Sequence, residues 1–142
     1  MNSDEKLLNS IYHNCLSTVT LLSRILQKIE DKKLFDLIFD DMLLYREILD
    51  KSLKELIDCN MTLTSQKLSD KICVDFTSSL IGYSFSSTAF LAKTLKNSSL
   101  EGISDITNHI NSSVNTSKSA RMLAYELIKT EENLISQMNT LI

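Results

Sequence analysis

Residues 120–141, ARMLAYELIKTEENLISQMNTL, set Ala120, Ala124, Leu127, Glu131, Leu134, Met138 and Leu141 at alternating steps of four and three. That rhythm is the 3.6-residue period of a helix with one apolar stripe, so the spacing predicts a helix from about Thr116 to the last residues. One member of the stripe is an acid, Glu131.

The same rhythm runs back through the chain. Leu8, Tyr12, Cys15, Val19, Leu22, Leu26 and Ile29 outline a first helix from Asp4 to Ile29, with Ser3 as its cap and Asp4 and Glu5 where the helix dipole favours acids. Glu30-Asp31-Lys32-Lys33 interrupts the stripe, and Asp31 can cap a second helix. Leu34, Leu37, Ile38, Leu44, Tyr45, Ile48 and Leu56 draw that helix to about Asp58. A link of only two or three residues predicts an antiparallel hairpin.

After a polar connector at 59–64, Leu68, Ile72, Phe76, Leu80, Tyr83, Phe90 and Leu95 outline a third helix to about Lys96. Small residues flank it, and Gly82 is a candidate kink. Asn97-Ser98-Ser99 reads as a stop, and Ser98-x-x-Glu101 has the spacing of a capping box that starts a short helix over 99–111. Two placements stay open for this segment, a cap over the bundle end or the continuation of a bent third helix. The fold expected is all-α, one domain over residues 1–142. It is an antiparallel four-helix bundle with a short extra helix before the last long one.

Composition agrees with that reading. The 142 residues contain no proline and only two glycines, Gly82 and Gly102, too few for the turns of a β-rich chain. A chain this long buries roughly 68% of its unfolded surface in one core. Hydrophobic residues at 43% against 23% charged mark a globular chain, and aromatics at 6% with no Trp leave that core to aliphatic side chains. A net charge of −3 without an arginine-rich stretch gives no attraction to nucleic acid or anionic lipid.

Cys15, Cys59 and Cys73 are odd in number, lack C-x-x-C spacing and lie in or beside apolar runs, as reduced buried cysteines do. With no basic, apolar leader, they point to the cytoplasm, and the Asn-x-Ser/Thr sequons at Asn60, Asn97, Asn111 and Asn115 then carry no meaning. The uncharged stretch Phe76–Ala92 is 17 residues long and contains seven Ser or Thr, which suits a close helix contact rather than a membrane span.

Asp41 and Glu131 are the residues that need explaining, since an unpaired carboxylate on an apolar stripe costs several kcal/mol. Inward carboxylates in bundles are the usual ligands of di-iron or di-manganese centres, which draw Glu from two helices and Glu-x-x-His from two more. This chain has no Glu-x-x-His. The plainer account is an edge carboxylate that reaches solvent or pairs with Arg46, Lys129 or a tyrosine hydroxyl. His13 sits one step off the first stripe, and His109 comes after Asp105 at i,i+4, the spacing of a metal pair or of a surface ion pair. Without a second His or Cys at ligand spacing, both read as surface or bundle-edge histidines. The candidate metal ligands are therefore Asp41, Glu131, His13 and His109, with no cofactor implied.

Nucleophilic hydrolysis lacks both G-x-S-x-G and a catalytic-cysteine signature, and two glycines twenty residues apart cannot cradle a phosphate. Tyr12, Tyr45, Tyr83 and Tyr125 lie on or beside the stripes, either as core-edge residues whose hydroxyls reach water or as a polar cluster inside the bundle. The scattered methionines read as gap fillers.

The stretch LLSRILQKIEDKKLFDLIFDDMLLYREILDKSLKELI, with its E-D-x-x-L joint, resembles the first hairpin of ferritin-like bundles, with a Tyr where that family often carries His. MLAYELIKTEENLISQM resembles the closing helix of small ferritin-like proteins of low-GC bacteria. The resemblance implies a ferritin-like bundle with a tendency to dimerise. The family's Glu-x-x-His positions hold Asp41-x-x-Leu44 or Met42-x-x-Tyr45, and Glu131-x-x-Leu134, so its metal ligands and oxidase or storage activities do not carry across.

These features support three expectations of function. The first is a non-enzymatic bundle that forms a dimer or docks a protein partner, with no nucleic acid and no membrane span. The second is a degenerate metal-binding bundle using the inward carboxylates. The third holds an apolar ligand between the third and last helices, beside Ala120 and Ala124.

Overall fold

The computed structural model describes residues 2–65, 88–112 and 115–142. Among these residues all regular structure is helical: α1 (Ser3–Leu26), α2 (Lys32–Asp58), α3 (Thr88–Ser112) and α4 (Lys118–Asn139). α1 packs most extensively on α2, and α3 on α4, while α2 meets α4 and α1 meets both α3 and α4. Leu8, Ile11, Ile38, Ile48, Leu95, Ile106, Leu127 and Leu134 fill the space between them. The aliphatic core that the stripes predict is present.

Short-range hydrogen bonds set the helix ends. α1 is capped by Asn2, one residue before the expected Ser3, with Oδ1 accepting from the Glu5 amide at 2.7 Å. α1 also ends at Leu26 rather than Ile29, so residues 27–31 form a longer link than two or three. Asp31 caps α2 as expected, accepting from the amides of Lys33 at 2.9 Å and Leu34 at 3.4 Å. α2 closes at Asp58 with Asn60 in the left-handed region at φ 54°. The Met61 amide donates to Leu56 O at 2.8 Å and the Asn60 amide to Ile57 O at 3.1 Å, a Schellman turn built on asparagine. Ser117 caps α4 through the Ala120 amide at 3.2 Å. The Ser117 amide in turn donates to Asp4 Oδ1 at 2.6 Å, so one carboxylate serves the positive ends of α1 and α4.

The contacts between α2 and α4 form a ladder. Glu55 accepts from Ser119 at 2.7 Å, Lys51 pairs with Glu126 at 3.1 Å, and Tyr45 bonds Glu131 at 2.8 Å. Residue numbers rise along one helix as they fall along the other. The exposed Lys51 pair adds little stability, but it fixes the same register as the buried bond.

The third helix departs from expectation. Asn97-Ser98-Ser99 does not stop it, and the segment 99–111 is part of one continuous α3 from Thr88 to Ser112. Ser99 is 2% exposed and finds its polar partners inside the bundle, so its hydroxyl does not compete for a helix terminus. Of the two placements open for that segment, continuation is the one observed. The portion of the third helix expected over 68–87, with Cys73, Gly82 and Tyr83, lies outside the described residues. Leu44 and Phe90, expected on apolar stripes, are exposed.

Candidate functional site

Each of the four helices brings a polar or small residue to one buried place. α4 points Glu131 inward, as its position on the apolar stripe requires, and the side chain is 2% exposed. α2 sends in Tyr45, fully buried, whose hydroxyl donates to Glu131 Oε2 at 2.8 Å. α3 contributes Ser99, within hydrogen-bonding reach of both groups, and Gly102 one turn later. α1 supplies Asn14 and the buried thiol of Cys15.

Gly102 makes the room. A β-carbon there would stand 2.6 Å from Glu131 Oε1 and 2.9 Å from Asn14 Nδ2, nearer than such atoms approach. A glycine inside a helix costs about 1 kcal/mol against alanine, so its presence at mid-helix has a steric cause.

Burial dominates the electrostatics. It raises the Glu131 carboxyl from 4.5 to about 7, against the opposing pull of hydrogen bonds from Tyr45 and Ser99. The same burial, with the charge of Glu131 beside it, pushes the Tyr45 phenol and the Cys15 thiol well above their ordinary ranges. The site holds one proton loosely near neutral pH and two tightly.

Asp41 stands one turn before Tyr45 on α2 and is 4% exposed. Burial raises it to about 6, opposed by a hydrogen bond to Gln137 of α4. Asp41 Oδ2 and Gln137 Oε1 are both buried without a hydrogen-bond partner. Two acceptors buried in this way favour the protonated acid, because a carboxyl O–H would satisfy one of them.

The expectation of edge carboxylates is thus corrected in part. Neither acid reaches solvent and neither pairs with Arg46 or Lys129, but Glu131 does pair with a tyrosine hydroxyl. The tyrosines divide: Tyr45 is fully buried, Tyr125 is 56% exposed and Tyr12 lies between.

His13 is likewise not at the surface. It is 4% exposed, with Nε2 at 3.0 Å from both the carbonyl and the hydroxyl oxygen of Thr64. Asn9, one turn earlier, donates to Thr62 O at 2.9 Å and accepts from the Thr64 amide at 2.7 Å. The connector after α2 therefore folds over α1 and covers both side chains. His109 lies 3.9 Å from Asp105, the surface pairing expected from i,i+4 spacing, and Ser10 donates to the same carboxylate at 3.1 Å. Cys59, expected buried, is exposed at the end of α2.

The four candidate ligands lie apart: Glu131 with Tyr45, Asp41 with Gln137, His13 with Thr64, His109 with Asp105. Among the described residues no three His, Cys, Asp or Glu side chains gather closely enough to hold a metal ion. No described helix is long and apolar enough to cross a membrane. Ala120 and Ala124 are fully buried. The arrangement at Glu131 can store and release a proton, and the nearest thiol, Cys15, is buried with its pKa pushed well above its ordinary range, so it is held as the unreactive thiol. Sequence reasoning misses Ser99, Gly102, Asn14 and Gln137 as neighbours of the two acids, although a lone glycine inside a helix is a signal for one of them.

Comparison with known proteins adds no relative: no family model, no curated protein and no solved structure matches this chain.

Proposed function

We propose that this is a non-enzymatic helical-bundle protein that works by docking protein through the outer face of α2. The observation that carries the reading is a row of large apolar side chains turned to solvent. Phe35, Phe39 and Leu43, spaced by four, are 36%, 39% and 45% exposed, and the two phenylalanine rings stack at 6.2 Å between centroids and 8° between planes. Single exposed apolar residues are ordinary, whereas a contiguous row with paired aromatics is what interface cores use. The free thiols of Cys15 and Cys59 support a reducing, cytoplasmic setting, and the likeness of the first hairpin to ferritin-like bundles supports a bacterial relative of that arrangement. Static light scattering and affinity capture from the host test the reading. A Phe39→Ser protein that keeps every self-association and every captured partner of the wild type would overturn it.

A second reading, a degenerate metal-binding bundle, draws support from the burial of Asp41 and Glu131. Elemental analysis after metal-supplemented expression separates the two. Less than about a tenth of an equivalent of Fe, Mn or Zn ends the metal reading.

A further inference from the structure

The exposed face of α2 keeps its spacing when read backwards while its charges change sign. Lys32, Asp36, Phe39, Leu43, Arg46 and Asp50 are all exposed and succeed one another at steps of four, three, four, three and four. Those steps draw a single stripe. In charge the stripe reads plus, minus, apolar, apolar, plus, minus. Reversed, it reads minus, plus, apolar, apolar, minus, plus. A stripe with symmetrical spacing and antisymmetrical charge is complementary to an inverted copy of itself, which is the requirement of an isologous twofold interface.

We propose that a second copy of this chain occupies the face, α2 against α2 in opposite directions, about a twofold axis between Phe39 and Leu43. The proposal rests on the reading of this face as a docking surface and names what docks there. In that register Lys32 meets the partner subunit's Asp50, Asp36 meets the partner subunit's Arg46, and Phe39 meets the partner subunit's Leu43. Each contact occurs twice. Two copies aligned in the same direction would instead set Lys32 on Lys32 and Asp36 on Asp36, which charge forbids.

The charges are available for such contacts. Lys32 and Asp36 stand at i,i+4, as do Arg46 and Asp50, yet among the described residues none of the four makes an ion pair. The ion pairs of α2 lie instead on the side toward α4 and at its C-terminal end, at Lys51 and Lys54. A stripe from residue 32 to residue 50 is about 27 Å long at 1.5 Å per residue. One helix row falls below the roughly 800 Å² per partner of a standard interface, so the dimer is weak and exchanges readily. The apolar centre supplies the affinity and the flanking charges set the register.

Sedimentation velocity on the full chain at low salt tests this with four proteins: the wild type, the two single charge reversals and Phe39→Ser. The wild type should dimerise with rising concentration. Asp36→Arg and Arg46→Asp should each weaken self-association by about tenfold or more, because each change acts at two symmetric contacts. Mixed in equal amounts, the two reversals should recover a dimer at least as tight as the wild type, since both cross-contacts are again opposite in sign. Circular dichroism checks folding. Should a single reversal lower the helix signal, the Asp36→Arg/Arg46→Asp double variant replaces it and should dimerise like the wild type. A wild type that stays monomeric to about 1 mM overturns the proposal. So does a dimer indifferent to the single reversals, or a mixture that fails to recover one. Phe39→Ser separates the levels: if it abolishes the dimer while the reversals do nothing, the docking face stands and the twofold register falls. If Phe39→Ser leaves the dimer intact, the docking face itself falls.

Discussion

Gly102 and Glu131 occupy one another's space: the hydrogen of the glycine is what allows a buried carboxylate oxygen to sit 2.6 Å from where a β-carbon would be. Glu131 cannot swing away cheaply, because its other oxygen is held by Tyr45 and its surroundings are closed. Gly102→Ala should therefore destabilise the protein by about 1–2 kcal/mol, the strain of overpacking exceeding the ~1 kcal/mol that alanine gains in a helix. In a Glu131→Ala background the closer obstacle is gone and only the flexible amide of Asn14, at 2.9 Å, must give way, so the same substitution should come close to neutral. Urea titration of the four proteins gives the cycle. Equal effects in both backgrounds would show that the two residues are not coupled.

The raised acid groups predict a direction for pH dependence. Glu131 titrates at about 7 in the fold against 4.5 unfolded, so between those values the folded chain holds the proton that the unfolded chain has lost. The stability it confers is complete below pH 4.5 and is lost as the pH rises through 7, an effect on the order of 3 kcal/mol. Asp41 acts in the same sense between 3.8 and about 6. Glu131→Gln, which cannot ionise but still accepts from Tyr45, should flatten the loss of melting temperature between pH 6 and pH 8, roughly where only Glu131 of the two acids still titrates. A variant that melts with the wild-type pH slope across that interval would refute the assignment.

How much of this is legible in the chain depends on the range of the interaction. The cap at Asp31, the end of α2 at Asp58 and the stripe of the last helix are local, and the sequence expectation matches the structure at each. The stripe turns Glu131 inward, but its partner Tyr45 lies 86 residues away and no spacing rule connects them. Asn97-Ser98-Ser99 carries strong local signals for a helix end, which lose because Ser99 is used inside the bundle. His13 reads as an edge residue for the converse reason. Thr64, which His13 meets through its ring nitrogen, belongs to a connector whose path over α1 is set by tertiary contacts.

Asn9 supports that path. Its amide donates to Glu5 O at 2.8 Å and Thr62 O at 2.9 Å, and its carbonyl accepts from the Thr64 amide at 2.7 Å and hydroxyl at 3.1 Å. All four hydrogen-bonding positions of the side chain are filled, at 1% exposure. Asn9→Ala removes them together and leaves part-buried backbone groups of the connector to water, so a loss of about 1–2 kcal/mol is expected. Amide hydrogen exchange should quicken at Thr64 more than at Met61, whose amide bonds Leu56 within the Schellman turn. Uniform acceleration along 61–65 would contradict a local tether.

The two described cysteines should differ sharply in reactivity. Only the thiolate attacks an alkylating agent, and burial in the core both hides Cys15 and pushes its thiol well above the ordinary range, with the nearby Glu131 and Glu126 acting in the same sense. Cys59 is exposed where α2 ends. Iodoacetamide on the folded protein, then peptide mapping, should therefore label Cys59 and spare Cys15. In Glu131→Ala the charge beside Cys15 and some packing are removed together, so its labelling should rise toward the rate set by opening of the bundle. Cys15 modified as fast as Cys59 in the wild type would mean that α1 does not hold that face inward, and the place where Glu131, Tyr45 and Gly102 meet would be open to water.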